Sequence, residues 1–328
     1  MSAGVAFGFE ALRLPDPEAA IAEITGGLRR SAREFRRKGA VVGISGGIDS
    51  SVVAALAARA FGPGNVLGVL MPEADSSEET LSLGRLAADS AGIESVLENI
   101  TPILEGVGAY RRRDEAIRRV IPEYDHDWKA KLVLPSVVES ESYRLFSVVA
   151  QAPDGRIVKE RLPLTEYLQI VAATNFKQRT RKMVEYYHAD RLNYLVLGTP
   201  NRLEYDQGFF VKNGDGSADV KPIAHLYKSQ VYQLAEALGV PEEIRSRPPT
   251  TDTYSLPQSQ EEFYFSLPYD RMDLCLYAVD NGVPAAEVAA ALELTEEQVE
   301  RVFADIASKR RMSRYLHAAP QLVTGPAD

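Results

Sequence analysis

Residues 45–51 read SGGIDSS, two glycines, three hydroxyls and one carboxylate set between the apolar runs AVVGI (40–44) and VVAALAARAF (52–61). Gly46 and Gly47 can take backbone angles closed to other residues, so successive N–H groups can turn toward one anion, and a helix starting there adds its positive end. Ser45, Ser50 and Ser51 add hydroxyl donors, and phosphate is the anion such a loop suits. Asp49 would repel a polyphosphate unless a divalent cation such as Mg²⁺ lies between them, since that ion accepts carboxylate and phosphate oxygens together. The pattern is neither the GxxxxGK[ST] loop nor GxGxxG. Read without its neighbours, a Gly-Gly pair here is a turn entering a helix.

The surrounding elements decide where that loop lies. Apolar periodicity predicts helices over 18–37, 49–61, 77–91, 176–189 and 226–239, the last ended by Gly239 with Pro241 beyond, apolar strands over 40–44, 66–71 and 193–198, and a short strand near 94–97. Strands alternating with helices imply an α/β fold, a doubly wound parallel sheet with right-handed crossovers, whose ligands bind beyond the carboxyl ends of the strands. SGGIDSS follows the first strand and sits at that edge. The whole of 1–328 reads as one domain, with 101–165 as an inserted segment in which alternation around Pro153-Asp154-Gly155 predicts a β-hairpin. Residues 268–316 read as a helical C-terminal part with a turn at Glu293-Leu294-Thr295 and a Thr cap.

With 45% hydrophobic and 25% charged residues among 328, the composition is that of a soluble globular chain with a sizeable core. No apolar run approaches 18 residues and the N-terminus has no basic region leading into an apolar one, so the expectation is a cytoplasmic protein with no membrane partner. The single cysteine, Cys275, excludes an intrachain disulfide and a cysteine metal cluster, and its apolar neighbours in DRMDLCLYAVDNG suggest a packed helix. A net charge of −9 argues against nucleic acid as a partner; the basic clusters at 29–38 and 110–119 read as solvated helix faces. The four histidines, at 126, 188, 225 and 317, show no zinc-site spacing.

The strand, SGGxDS and helix together resemble the pyrophosphate loop of the ATP pyrophosphatases, which split ATP into AMP and pyrophosphate to activate a carboxylate or carbonyl as an adenylate. The stretch LVLGTPNRLEYDQGFFVKNGDGSADVKPIAHLYKSQV (195–231) further resembles the ammonia-dependent NAD synthetase pattern, GT-x-N-x-x-E followed by G-[YF]-F-x-K-x-GDG-x-x-D and a lysine-bearing helix. NFKQRTRKM (175–183), PPTTD (248–252) and SLPYDRMD (266–273) are similar to further motifs of that family in the same order. The resemblance implies a Rossmann-like sheet and a two-step reaction, adenylation of deamido-NAD followed by amidation with ammonia. It implies that Gly43, Ile44, Ser45, Gly46, Gly47, Asp49, Ser50 and Ser51 hold ATP together with Arg179, Thr199, Lys228 and Thr250. Asp49 and Glu204 are then the Mg²⁺ ligands. Lys228 and Thr250 stabilise departing pyrophosphate, and Asp219 is a candidate acceptor of a proton from ammonium. Asn175, Arg181, Lys212, Asp215, Asp219 and Lys309 fall to the substrate side. For Arg181 and Lys212 a structural ion pair is the alternative reading.

The resemblance also implies a homodimer. There is no room for an amidase domain, so ammonia is expected free or from a separate glutaminase. Departures from the pattern lie downstream of PPTTD, where TYSLPQSQEEFYFSLPY runs, at Ser308-Lys309-Arg310, and in the 101–165 segment. They surround the expected acyl site and leave two alternatives open: an amide ligase of this type acting on another carboxylate, and a non-catalytic nucleotide-binding subunit.

Overall fold

A computed structural model of the chain describes residues 7–134, 146–249, 253–257, 264–265 and 267–323. A short 3₁₀ turn leads into α1 (Pro17–Glu34), β1 (Ala40–Gly43), α2 (Ile48–Phe61), β2 (Val66–Leu70), α3 (Glu78–Ser90) and β3 (Glu94–Leu97). Then come α4 (Thr101–Gly106), α5 (Ala109–Arg118), β4 (Lys129–Val133), β5 (Ser147–Gln151), β6 (Ile157–Arg161), α6 (Leu164–Leu192) and β7 (Leu195–Leu197). The chain continues through α7 (Arg202–Gln207), α8 (Lys228–Ala237) and α9 (Glu242–Arg245) to α10 (Tyr269–Asn281), α11 (Ala285–Leu292) and α12 (Glu296–His317).

The main sheet has the order β3-β2-β1-β7 with every pair parallel. Side-chain alternation along β1 explains why AVVGI is apolar throughout. Ala40, Val42 and Ile44 enter a core shared with Ile21 and Leu28 of α1, Val52 and Leu56 of α2, and Val231 and Leu234 of α8. Val41 points to the opposite face, joining Leu67, Val69 and Val196 beneath Ile100, Leu104 and Ala189. A strand covered on both faces needs no polar positions, and the doubly wound arrangement expected from the sequence follows from that. Helix α1 starts where Asp16 accepts a hydrogen bond from Ala19 N with Pro17 at the first helical position.

Between α5 and α6 lies a second sheet, antiparallel, of order β4-β5-β6. The expected hairpin is present, turning through Gly155 at φ 89°. A third strand, β4, pairs with β5 and was not foreseen, because KAKLV is too brief for its alternation to stand out. Its Ala130 and Leu132 are buried with Val148 and Ala150 of β5, against Ile117 and Ile170 from the flanking helices. Helix α6 also starts well before the predicted 176, directly after Pro163, because Ile170, Ala173 and Thr174 pack its first half into this region. The C-terminal helices enclose Cys275; Glu293 turns left-handed, and Thr295 accepts from Gln298 N to open α12, as the expected turn required. Among the described residues no helix is long and apolar enough to cross a membrane.

Candidate active site

The loop between β1 and α2 shapes one end of a cavity of about 560 Å³ at the carboxyl edge of the main sheet, whose wall includes Gly43, Ile44, Ser45, Gly46, Gly47, Asp49 and Ser50. Gly46 has φ +74°, and a Cβ there would stand 2.6 Å from the Thr80 carbonyl oxygen of α3, so only glycine fits both the backbone and the space. Gly47 caps α2 without a side chain, leaving the first N–H groups of the helix toward the cavity. The loop is braced from within: Ser50 Oγ donates to Gly47 O at 2.9 Å and accepts from Ser45 N at 3.2 Å. Ser51 Oγ also donates to Gly47 O, at 2.9 Å, and Ser51 is not on the cavity wall. Its hydroxyl shapes the loop; the expectation of a phosphate contact there is not matched by its position.

Across the loop stand Glu204 and Lys228, both on the cavity wall. Lys228, at the start of α8, is buried and its Nζ donates to Asp49 Oδ2. Burial works to depress this ammonium, yet the Asp49 and Glu204 carboxylates outweigh it and hold its pKa above the ordinary lysine range. Asn201 joins the two acids. Its Nδ2 donates to Asp49 Oδ1 at 3.1 Å, its Oδ1 accepts from Glu204 N at 3.1 Å, and its own N–H donates to Glu204 Oε2 at 3.2 Å. This capping box fixes α7 and brings Glu204 toward Asp49. Among the described residues no three His, Cys, Asp or Glu converge as metal ligands. A cation here would take the two carboxylates and complete its shell from phosphates and water, which is the habit of Mg²⁺.

Helix α6 supplies the opposite wall with Thr174, Asn175, Lys177, Gln178, Arg181, Lys182 and Glu185, positions that share one face. Arg181 Nε donates to Met71 O at 3.4 Å, and Lys182 Nζ pairs with Glu185 Oε2 at 2.6 Å. Lys177 is the centre of a buried network absent from the sequence reading. Its Nζ meets Glu73 Oε1 at 2.9 Å, Asp75 Oδ2 at 2.6 Å and Thr253 O at 2.8 Å, and Tyr110 OH donates to Glu73 Oε2 at 2.6 Å. Burial works against the Asp75 charge, but Lys177 and Arg113 outweigh it and lower its pKa. Glu73 and Asp75 follow β2 at the ligand-facing edge, and that placement was the available signal. Thr199 and Asp215 complete the wall among the expected residues, and burial raises the Asp215 carboxyl above its usual range.

Besides Ser51, four expected residues lie off the wall. Arg179, at the margin of the wall-lining face beside Asn175, is exposed, and its Nε donates to Lys212 O at 3.3 Å. Asp219 is exposed at the sheet edge, where Oδ2 accepts from Val196 N at 2.7 Å and Oδ1 from Tyr186 OH at 3.2 Å. It satisfies an edge-strand N–H that lacks a strand partner. Lys212 Nζ donates to Tyr315 O at 2.8 Å and Ala318 O at 3.1 Å, tying its loop to the end of α12. Lys309 is buried, with Nζ on Tyr264 O at 2.7 Å and Asp305 Oδ2 at 2.8 Å. Thr250 lies outside the described residues, as does most of the EEFYF run. The 101–165 segment reaches the wall through Phe146, which stacks on Tyr167 with ring centroids 4.2 Å apart.

The NAD synthase family model matches residues 20–123 and 129–315. An NH(3)-dependent NAD(+) synthetase of Rhizobium meliloti (strain 1021) is 61% identical over 316 residues, covering 96% of this chain and 95% of that protein. Among solved structures, the NMN synthetase from Francisella tularensis superposes with a TM-score of 0.65 at 21% identity, over 95% of this chain and 98% of that one. The NH3-dependent NAD synthetase from Campylobacter jejuni does so with 0.62 at 20% identity, over 95% and 100%. At such identities the two structures speak for the fold. The extent of the family match and the identity to the Rhizobium protein carry the assignment: the chain belongs to the NAD synthase family and is a carbon–nitrogen ligase of the AMP-forming NAD synthetase type.

Proposed function

We propose that this chain converts deamido-NAD to NAD at the cavity between SGGIDS, α6 and α7. The observation that carries the reading is the union of Asp49, Asn201, Glu204 and Lys228 at the foot of a loop shaped for phosphate. In the first step a carboxylate oxygen of the substrate attacks the α-phosphorus of ATP and the bond to pyrophosphate breaks. In the second, ammonia attacks the acyl carbon and AMP leaves with the former carboxylate oxygen. The work of the protein in the first step is positioning and charge neutralisation. Loop N–H groups and the start of α2 receive phosphate oxygens, and Lys228 balances charge as pyrophosphate departs. Asp49 and Glu204 would hold Mg²⁺, which when bound neutralises the β and γ phosphates. Asp215 takes the proton of ammonium in place of the expected Asp219, because it is on the wall and its raised pKa suits proton uptake.

Ammonia arrives free or from a separate glutaminase. The one cysteine, Cys275, is buried and its thiol is pushed up to about 12, which withholds the thiolate that amide hydrolysis requires. A homodimer is part of the reading, supported by the exposed Leu164, Leu168, Met183 and Tyr187 of α6. Purified protein with ATP, Mg²⁺, ammonium and deamido-NAD is expected to form NAD, AMP and pyrophosphate, and Asp49→Asn to lower the rate by about 10²-fold or more. Pyrophosphate release driven by another carboxylic acid, with no NAD formed, would select a ligase of different substrate. Near-full activity of Asp49→Asn would remove Asp49 from the mechanism.

A further inference from the structure

Gln207, the last residue of α7, lines the cavity yet is 0% exposed, and among the described residues neither its Nε2 nor its Oε1 has a hydrogen-bond partner. A buried carboxamide left unmet at both ends destabilises a fold, and an apolar residue of similar shape avoids that loss, so such a group calls for a ligand or a role. Its place is fixed by its surroundings. Tyr264 OH donates to the Gln207 carbonyl oxygen at 2.7 Å, and the ring of Tyr264 stacks on Phe209 with centroids 4.8 Å apart. Gly208 follows at φ +77°, and a Cβ there would stand 2.7 Å from Ser313 Cβ, so the end of α7 packs closely against α12. Glu204 lies one helical turn back on α7, and both residues line the same cavity.

The unmet atoms define the ligand: an acceptor for Nε2–H and a donor for Oε1. A carboxylate provides the first alone; a carboxamide provides both in one plane, as an amide–amide pair. We propose that Gln207 binds the acyl group on which the reaction occurs, with one hydrogen bond to the acid before amidation and two to the carboxamide after it. The inference rests on the reaction proposed above. It makes Gln207 a specificity-determining residue with a larger share in holding product than in holding substrate.

The test compares wild type with Gln207→Leu, which keeps the bulk and removes both polar atoms. The KM for deamido-NAD is expected to rise about tenfold and the inhibition constant of NAD as product by more, with the KM for ATP within about twofold. The melting temperature of the free protein is expected to stay equal or rise, since an unmet amide is gone. Gln207→Glu, which places a carboxylate against a carboxylate, is expected to weaken the acid more than Gln207→Leu does. The proposal is overturned if both variants keep the KM for deamido-NAD and the NAD inhibition constant near wild type, or if Gln207→Leu melts several degrees lower, which would mean that the amide is bonded within the fold. A wild-type protein that forms no NAD from deamido-NAD would instead remove the reaction on which the inference stands.

Discussion

Replacing Lys228 by methionine tests the charge balance of the site in the free protein. The change preserves length and removes the ammonium that lies against Asp49 and near Glu204, leaving two linked carboxylates without a cation. Breaking a fully buried pair costs about 3–5 kcal/mol; because the Asp49 side chain is 16% exposed, water relieves part of this and about 3 kcal/mol is expected. With an unfolding entropy of about 2.1 cal/mol/K per residue, a chain of 328 residues changes by about 0.7 kcal/mol per degree, so the melting temperature should fall about 4 °C. Thermal unfolding with and without millimolar Mg²⁺ separates the causes: a cation between Asp49 and Glu204 restores the balance, so Mg²⁺ should raise the melting temperature of Lys228→Met more than that of wild type. Pyrophosphate release should fall by about 10²-fold or more, as for loss of a charge-stabilising donor. A variant that melts with wild type, gains nothing extra from Mg²⁺ and turns over normally would refute the reasoning.

Two further perturbations probe the supports. Gly46→Ala meets both a left-handed backbone and the Thr80 carbonyl, so it should lose at least about 1–2 kcal/mol of stability and raise the KM for ATP; an unchanged KM would mean that the loop shape does not govern phosphate binding. Asp273 accepts from Ser229 N and Oγ at 2.7 Å each at the start of α8, and burial, partly offset by those bonds, pushes its pKa up to about 6. An acid with a raised folded pKa destabilises the fold when ionised, so as pH falls from about 6 toward 4 wild type should gain stability relative to Asp273→Asn. A melting difference between the two that does not change over that range would contradict this.

What the sequence disclosed follows from how local each feature is. SGGIDSS, Glu204 and Lys228 sit in short contiguous patterns whose chemistry shows before folding, and the parallel sheet is legible in the apolar runs of β1, β2 and β7, which are buried on both faces. Asn201 had a legible sign in N-x-x-E, a capping box three residues before its partner. The Lys177 network was not legible, since Glu73 and Asp75 lie 104 and 102 positions away and only packing brings them together. Asp219 carries a motif position but serves the edge of β7, a demand set by the backbone. Gln207 has no local pattern; its two unmet atoms appear only in the folded chain.

The central claim is that the substrate carboxylate is activated on the α-phosphorus at the loop held by Asp49. The direct measurement uses deamido-NAD labelled with ¹⁸O in its carboxylate, turned over with ATP, Mg²⁺ and ammonium, followed by mass spectrometry of the nucleotide and phosphate products. An acyl-adenylate requires one labelled oxygen to leave in AMP, with unlabelled pyrophosphate. Label in inorganic phosphate accompanied by ADP, or NAD formed with no label in AMP, would contradict the account.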